Sequence, residues 1–164
     1  MSTLDKSTYY TVARILHWVT AYLIFFNLVS GWQHEGLSVS SRRMFAMLHS
    51  GAGTTILVLT LFRWWWRTSH ALYASPGWWR KPSLLLQVSF YPLLVTEVIL
   101  GVVQAAFVDY DVRAFGFISY SALAPANERL HRLFLTLHGR TAMLLLVLIA
   151  VHALEPVPTK GSSS

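Results

Sequence analysis

The chain of 164 residues is 54% hydrophobic and only 12% charged, and its formal net charge is +6. Soluble domains carry roughly a quarter charged residues, so this composition is typical of a membrane protein and leaves room for one compact unit. The sequence contains no cysteine, which excludes disulfides, iron–sulfur clusters and cysteine-linked cofactors. Because the basic residues form short patches between apolar runs, we expect them to contact membrane headgroups and not nucleic acid.

Four long apolar runs follow one another along the chain, at residues 15–32, 44–62, 84–108 and 133–154. Each meets the requirement of about 20 residues for a helix that crosses a membrane. The runs are too long and too continuous for barrel strands, so the predicted fold is all-α, a four-transmembrane-helix bundle. A cleaved signal peptide is the alternative for the first run. No small-x-small cleavage site follows it, and His17 and Asn27 are unusual in such a peptide, so we expect it to be retained.

The segments between the runs are expected to be short, except for the last one. Residues 1–11 show no obvious structure, 33–43 read as a polar loop, and 68–82 contain Pro and Gly turn signals. The polar section 109–132, with several aromatic residues, predicts a structured cap with a short surface helix. Residues 1–155 form one predicted membrane domain, and the tail 156–164 ends in Gly-Ser-Ser-Ser, which is typical of an added tag.

The basic residues of the loops predict the orientation of the helices. With the N-terminus in the cytoplasm, seven basic residues lie on the inner side and five on the outer side, a modest bias that favours cytoplasmic N- and C-termini. The inner set is Lys6, Arg14, Arg63, Arg67, Arg80, Lys81 and Lys160, and the outer set is Arg42, Arg43, Arg113, Arg129 and Arg132.

Four histidines fall within the predicted spans, where ionisable groups are costly and usually functional. His17 begins the first span and His152 ends the fourth, so both lie near the inner face. His49 begins the second span and His138 begins the fourth, so both lie near the outer face. His138 and His152 are fourteen positions apart, which is close to four helical turns, or about 21 Å along one side of the helix. Alternating topology therefore sorts the four histidines into two pairs at two depths.

Two neutral imidazoles on opposite sides of a porphyrin iron form a low-spin b-type haem site suited to electron transfer, because no axial position is open. The pattern thus predicts two b-type haems. A single histidine in a membrane can instead be a structural hydrogen-bonding group, and zinc would require about four ligands in one place. Small residues near the histidines are expected to admit a flat macrocycle, with ordinary helix packing as the alternative: Gly51, Ala52, Gly53 and Gly139.

Two further charged residues lie within the spans. Glu97 and Arg140 are both displaced toward the outer side, so they could form an ion pair across the helix interface. The functional alternatives are that Arg140 holds a haem propionate and that Glu97 accepts a proton in quinol chemistry. Arg14, three residues before His17, is a second propionate candidate, with ordinary headgroup contact as the alternative.

The three remaining histidines lie in loops or at their edges. For His34, His70 and His131 we expect solvated or interfacial positions, with proton transfer or substrate binding as the functional alternative. His131 lies two turns before His138, so it could face the same outer site.

Several segments of the sequence resemble the bacterial cytochrome b561 family of small diheme inner-membrane proteins. They are Arg14-Ile15-Leu16-His17-Trp18, Leu48-His49-Ser50-Gly51, the Leu-rich run ending in Arg63, Ala124-Pro125-Ala126-Asn127-Glu128, and the last span with its two histidines. The resemblance covers residues 9–154. It implies two haem b groups with axial pairs His17/His152 and His49/His138, and electron transfer between a quinone or quinol pool and another donor or acceptor.

One branch of that family oxidises superoxide at the outer face and reduces ubiquinone. Outer cations could attract the anion by electrostatic steering: Arg42, Arg43, Arg129 and Arg132. Three functional hypotheses therefore stand together. The chain is an oxidoreductase of this kind, or a membrane electron-transfer subunit for a separate redox protein, or a haem-free scaffold whose histidines are structural.

Overall fold

The structure is a computed structural model, and it describes residues 6–32, 38–69 and 82–154. Four helices dominate it: α1 (Lys6–Trp32), α2 (Val39–Ser69), α3 (Pro82–Ala106) and α4 (Glu128–Ala153). Two short strands, β1 (Arg113–Ala114) and β2 (Ile118–Ser119), lie between α3 and α4. All four helices are long and apolar enough to cross a membrane, so the predicted four-helix membrane bundle is confirmed.

The helices extend beyond the predicted spans. α1 begins at Lys6 and not at residue 15, and α2 runs from Val39 to Ser69 and not from 44 to 62. The expectation that residues 1–11 lack structure is thus wrong for residues 6–11. A helix of 31 residues is about 46 Å long, whereas the hydrocarbon core is about 30 Å thick. Hydropathy marks only the part in hydrocarbon, and the polar ends continue the same helices.

Consecutive helices pack against each other and run in alternating directions: α1 on α2, α2 on α3, and α3 on α4. α1 ends, α2 begins, α3 ends and α4 begins at one end of the bundle, which we call the hairpin side because β1 and β2 lie there. The opposite end, where α1 begins and α4 ends, is the terminal side. The tail 156–164, together with His34 and His70, lies outside the described residues.

The middle of the bundle is an apolar core, and its outer surface is also apolar. Ile56, Leu94 and Leu145 are buried together. Leu145 is only 2% exposed, and it stands seven positions after His138 and seven before His152. By contrast, large side chains on the outside, such as Tyr22 and Phe25, are about two-thirds exposed, at 70% and 67%. An exterior of this kind is stable in lipid and not in water.

The section between α3 and α4 folds as a small β-hairpin and contains no surface helix, so that part of the prediction is wrong. β1 and β2 pair antiparallel, with Ala114 opposite Ile118. Phe115 and Gly116 make the turn with φ angles of 54° and 80°, and glycine adopts such values at little cost. The Tyr120 hydroxyl forms a hydrogen bond with Thr54 Oγ1 of α2, which fastens the hairpin to the bundle.

The connection from the hairpin into α4 is also ordered. The Asn127 N–H donates to Phe107 O across 2.9 Å, which closes the section onto the end of α3. The Asn127 side chain is the N-cap of α4, and its Oδ1 accepts from the Leu130 N–H at 3.1 Å. Side-chain caps of this kind stabilise a helix start by about 1 kcal/mol. This cap therefore sets the point at which the last helix begins.

Gly51 lets the hairpin approach α2, which leads to a prediction. A Cβ at Gly51 would lie 3.1 Å from Phe115 Cδ1, whereas a Cβ at Gly139 would meet nothing within 4 Å. We expect Gly51→Leu to destabilise the protein by about 1–3 kcal/mol, as overpacking does. Thermal unfolding in detergent should show a Tm a few degrees lower for Gly51→Leu and little change for the matched control Gly139→Leu. Equal Tm values for the two variants would contradict this packing.

Candidate functional site

The structure brings the four histidines of the spans together as two pairs. His49 of α2 and His138 of α4 have ring centres 6.2 Å apart, with ring planes at 84°. His17 of α1 and His152 of α4 have ring centres 6.5 Å apart, with ring planes at 80°. The first pair lies toward the hairpin side and the second toward the terminal side. The bundle thus carries two similar sites, one toward each end.

The separation of the rings within each pair fits one metal ion between them. An imidazole nitrogen lies about 2.0 Å from a bound transition metal, so two rings on opposite sides of one ion have centres about 6.2 Å apart. Within the described part of the chain, no group of three or more His, Cys, Asp or Glu residues could hold a metal. A pair is sufficient for a porphyrin iron, because the macrocycle supplies the other ligands. The donor set of each pair therefore fits a haem.

His138 is held by two oxygen atoms of Glu97. The Nδ1 atom of His138 lies 3.1 Å from the backbone oxygen of Glu97 and 3.1 Å from its carboxyl Oε1. A carbonyl oxygen only accepts, so Nδ1 carries the proton and donates, and Nε2 is left for a metal. Both side chains are mostly buried, at 17% and 13% exposed. The arrangement matches the carboxylate–histidine–metal pattern that orients many metal ligands.

The expected ion pair between Glu97 and Arg140 is wrong. The Glu97 carboxyl contacts His138, and Arg140 is exposed. Two residues turn a helix by about 200°, so Arg140 projects from the side of α4 opposite to His138. Arg140 is close to His138 along the sequence, but only side chains that point toward α3 can contact Glu97.

His49 is oriented by α1. Its Nδ1 atom lies 3.1 Å from Ser30 Oγ, and the Ser30 hydroxyl donates to Asn27 O across 3.2 Å. Because the Ser30 hydrogen is used there, Nδ1 of His49 is the donor to Ser30 Oγ, and its Nε2 is also left for a metal. Both histidines of the hairpin-side pair thus adopt the tautomer that iron ligation requires.

Two glycines make room for the rings of this pair. A Cβ at Gly31 would lie 3.2 Å from His49 Cε1, and a Cβ at Gly101 would lie 3.1 Å from His138 Cε1. The glycines predicted from the sequence to admit a haem have other neighbours. Gly51 instead faces Phe115, Gly53 faces Asn27, and Gly139 faces open space. The close approach to the two rings comes from glycines on the facing helices, which proximity along the sequence does not reveal.

His17 has a different neighbour. Arg63 of α2 places its Nη1 atom 3.2 Å from His17 Nδ1. A guanidinium only donates, so Nδ1 is the acceptor and Nε2 carries the proton of the neutral ring. Iron ligation through Nε2 therefore requires the Arg63 hydrogen bond to be exchanged. The spacing of the terminal-side pair fits a haem, and a haem held there through Nε2 of His17 would require a different hydrogen bond at this ring.

Arg63 lies in a small polar cavity at the terminal side, which the sequence pattern does not indicate. The cavity holds about 160 Å³ and is lined by residues of α1, α2 and α3, among them Arg63, Arg67, Gln87 and Tyr91. The Arg67 guanidinium lies 6.0 Å from the centre of the Tyr91 ring, within reach of a cation–π contact. One cation, Arg63, therefore contacts the His17/His152 pair, and Arg67 lines the same cavity.

The other predicted site residues lie at the surface. Arg14 is exposed on α1, one turn before His17. Four arginines are exposed at the hairpin side, where α2 and α4 begin: Arg42, Arg43, Arg129 and Arg132. Arg132 lies 3.3 Å from Glu128 in an exposed ion pair, a type that contributes little stability. His131 also turns toward α3, as His138 does, and its Nδ1 atom lies 3.1 Å from Gln104 O.

Comparison with known proteins places this geometry in a family. No curated protein matches the chain. The family model of prokaryotic cytochrome b561 matches residues 8–155, which span all four helices and both histidine pairs. Members of this family are membrane cytochromes that bind haem b and transfer electrons. The chain belongs to the prokaryotic cytochrome b561 family and is a multi-pass membrane b-type cytochrome.

Proposed function

We propose that the chain binds two haem b groups, one between His49 and His138 and one between His17 and His152. The observation that carries this proposal is the pair of ring separations, 6.2 Å and 6.5 Å, toward opposite ends of one bundle. A b-type haem supplies a one-electron couple when it is bound. With both axial positions taken by imidazole, the sites serve electron transfer and do not bind substrate at the iron.

The chain's own residues hold and orient these groups. Glu97 and Ser30 fix the tautomers of His138 and His49, and the apolar core around Leu145 separates the two sites. Arg14, one turn from His17, is the propionate candidate that the geometry supports. Arg140 projects from the side of α4 opposite to His138, which does not favour the propionate role.

We place both termini in the cytoplasm and the hairpin side outside the inner membrane. Supporting this orientation, the basic residues outside the predicted spans of the whole sequence divide into seven on the predicted inner side and five on the predicted outer side, in line with the excess of positive charge on cytoplasmic sides. Electrons then cross the membrane between a donor or acceptor at the outer face and the quinone pool.

Superoxide is the outer donor that we propose first. Two superoxide anions lose one electron each and become two molecules of dioxygen, and ubiquinone takes up both electrons and two protons to become ubiquinol. The exposed arginines Arg42, Arg43, Arg129 and Arg132 support the proposal, because a cluster of cations raises the encounter rate of a small anion. Their exposure also makes this attraction sensitive to salt.

A membrane subunit that serves a separate redox protein is the second candidate. The hairpin presents large apolar side chains at the same end of the bundle, with Phe117 73% exposed and Leu123 65% exposed. Exposed apolar patches of this kind mark protein contacts or contact with the membrane interface. A soluble partner that docks there would lie above the His49/His138 pair.

Substitution of single ligands tests the pairing. We expect His138→Ala and His49→Ala each to lose one haem, from two per chain to one, because each removes an axial ligand of the same site. His17→Ala and His152→Ala should lose the other haem. Haem content is measured by reduced-minus-oxidised absorption spectra of purified variants. Loss of both haems, or of neither, would contradict the pairs.

The facing glycine provides a subtler test of the hairpin-side site. Gly101→Leu should displace the His138 ring, because even a Cβ at this position lies 3.1 Å from its Cε1 atom. We expect it to lower haem occupancy of the His49/His138 site alone. Gly139→Leu, next to His138 but with open space at its Cβ, is the matched control and should retain both haems. Equal haem content in the two variants would contradict this contact.

Stopped-flow reduction separates the two functional candidates. If superoxide is the donor, mixing it with the oxidised protein should reduce the haems rapidly, and added ubiquinone should return them to the oxidised state. Charge reversal of the exposed arginines, for example Arg43→Glu with Arg129→Glu, should slow the reduction, and added salt should lessen the difference. Haems that superoxide does not reduce would favour a separate redox partner.

A further inference from the structure

The two histidine pairs have opposite electrostatic surroundings. At the hairpin side, His138 donates from Nδ1 toward the Glu97 backbone oxygen and carboxyl Oε1, and His49 donates toward Ser30. At the terminal side, the His17 ring instead receives a hydrogen bond from the Arg63 guanidinium at 3.2 Å. One pair therefore faces oxygen acceptors and the other faces a cation.

These neighbours act on a bound iron in opposite directions. An acceptor on Nδ1–H makes the imidazole more electron-rich and a better ligand for the oxidised iron, which carries one more positive charge than the reduced iron. A fixed cation near the ligand has the opposite effect, because it disfavours the extra positive charge. The hydrogen bonds are thus expected to lower one reduction potential, and the cation is expected to raise the other.

The positions of the groups make these effects large. Glu97 and His138 are mostly buried, at 13% and 17% exposed, so water screens their interaction little. Arg63 is partly buried and shares its cavity with Arg67. The charge of Arg63 acts through space, so its influence does not require the hydrogen bond to His17 to persist.

We propose that the His49/His138 site holds the lower-potential haem and the His17/His152 site the higher-potential haem, with Glu97 and Arg63 as the positioning residues that separate them. Electrons then run downhill from the hairpin side to the terminal side. The inference rests on the proposed binding of two haems and adds the direction of electron flow. In the orientation proposed above, the direction is from outside to inside.

A spectroscopic redox titration of the haem-loaded protein tests the order. Two one-electron transitions are expected in the parent protein. The transition that disappears in His138→Ala should be the one at lower potential, and the transition that disappears in His17→Ala should be the one at higher potential. The opposite assignment would overturn the proposal. A protein without two haems would instead refute the proposed function, so the two failures are distinguishable.

Substitution of the positioning residues tests the cause. Glu97→Leu removes the carboxyl acceptor and keeps the backbone oxygen, so it should raise the lower potential by up to a tenfold change in the reduction equilibrium, about 59 mV for one electron, and leave the higher one unchanged. Glu97→Gln, which keeps a side-chain oxygen acceptor, should restore much of the difference. Arg63→Gln should lower the higher potential, and Arg63→Lys, which keeps the charge, should not.

An exposed carboxyl outside both histidine pairs provides the control. Asp111→Asn removes an exposed carboxyl that pairs with Arg113 on the hairpin and should change neither potential. Potentials that stay the same in both Glu97→Leu and Arg63→Gln would overturn the proposed roles. If Glu97→Leu fails to fold or to bind haem, Arg63→Gln and the assignment in the parent protein still decide the order.

Discussion

An imidazole in a lipid bilayer is stable only if its ring nitrogens have partners, because the hydrocarbon offers none. In this protein the structure shows such partners at His17, His49 and His138. In the hairpin-side pair, the Nδ1 atom of each ring lies next to an oxygen acceptor on a neighbouring helix. The Nδ1 atom of His17 accepts a hydrogen bond from Arg63. Each ring also has a second histidine at a distance that suits a shared metal. These contacts join residues of different helices, so they depend on how the helices pack.

The rest of the bundle keeps the two sites apart and covers one end. Leu145 lies halfway between the two histidines of α4, in the apolar core with Ile56 and Leu94. The hairpin packs against α2 at Gly51, whose missing side chain leaves room for Phe115. Helix α4 is therefore the wall that both sites share. The N-cap at Asn127 fixes where α4 begins, and therefore how far along the helix His138 and His152 lie.

The depth of each histidine could be predicted from the sequence, because antiparallel spans convert position along the chain into height in the membrane. The four helices follow from hydropathy for the same reason. The contacts around each ring could not be predicted, since they depend on the direction of a side chain around its helix. Arg140 is two residues from His138 but points away, whereas Glu97 and Gly101 on another helix reach it. The hairpin was missed because strands of two residues leave no periodic signal.

The central claim is that two haems are held by imidazole on both sides of the iron. The most direct measurement is the absorption spectrum of the purified, dithionite-reduced protein, recorded before and after addition of carbon monoxide. Two b-type haems per chain whose spectrum carbon monoxide does not change are the expected result, because neither iron has an open axial position. Fewer than two haems per chain, or a spectrum that shifts with carbon monoxide, would contradict it.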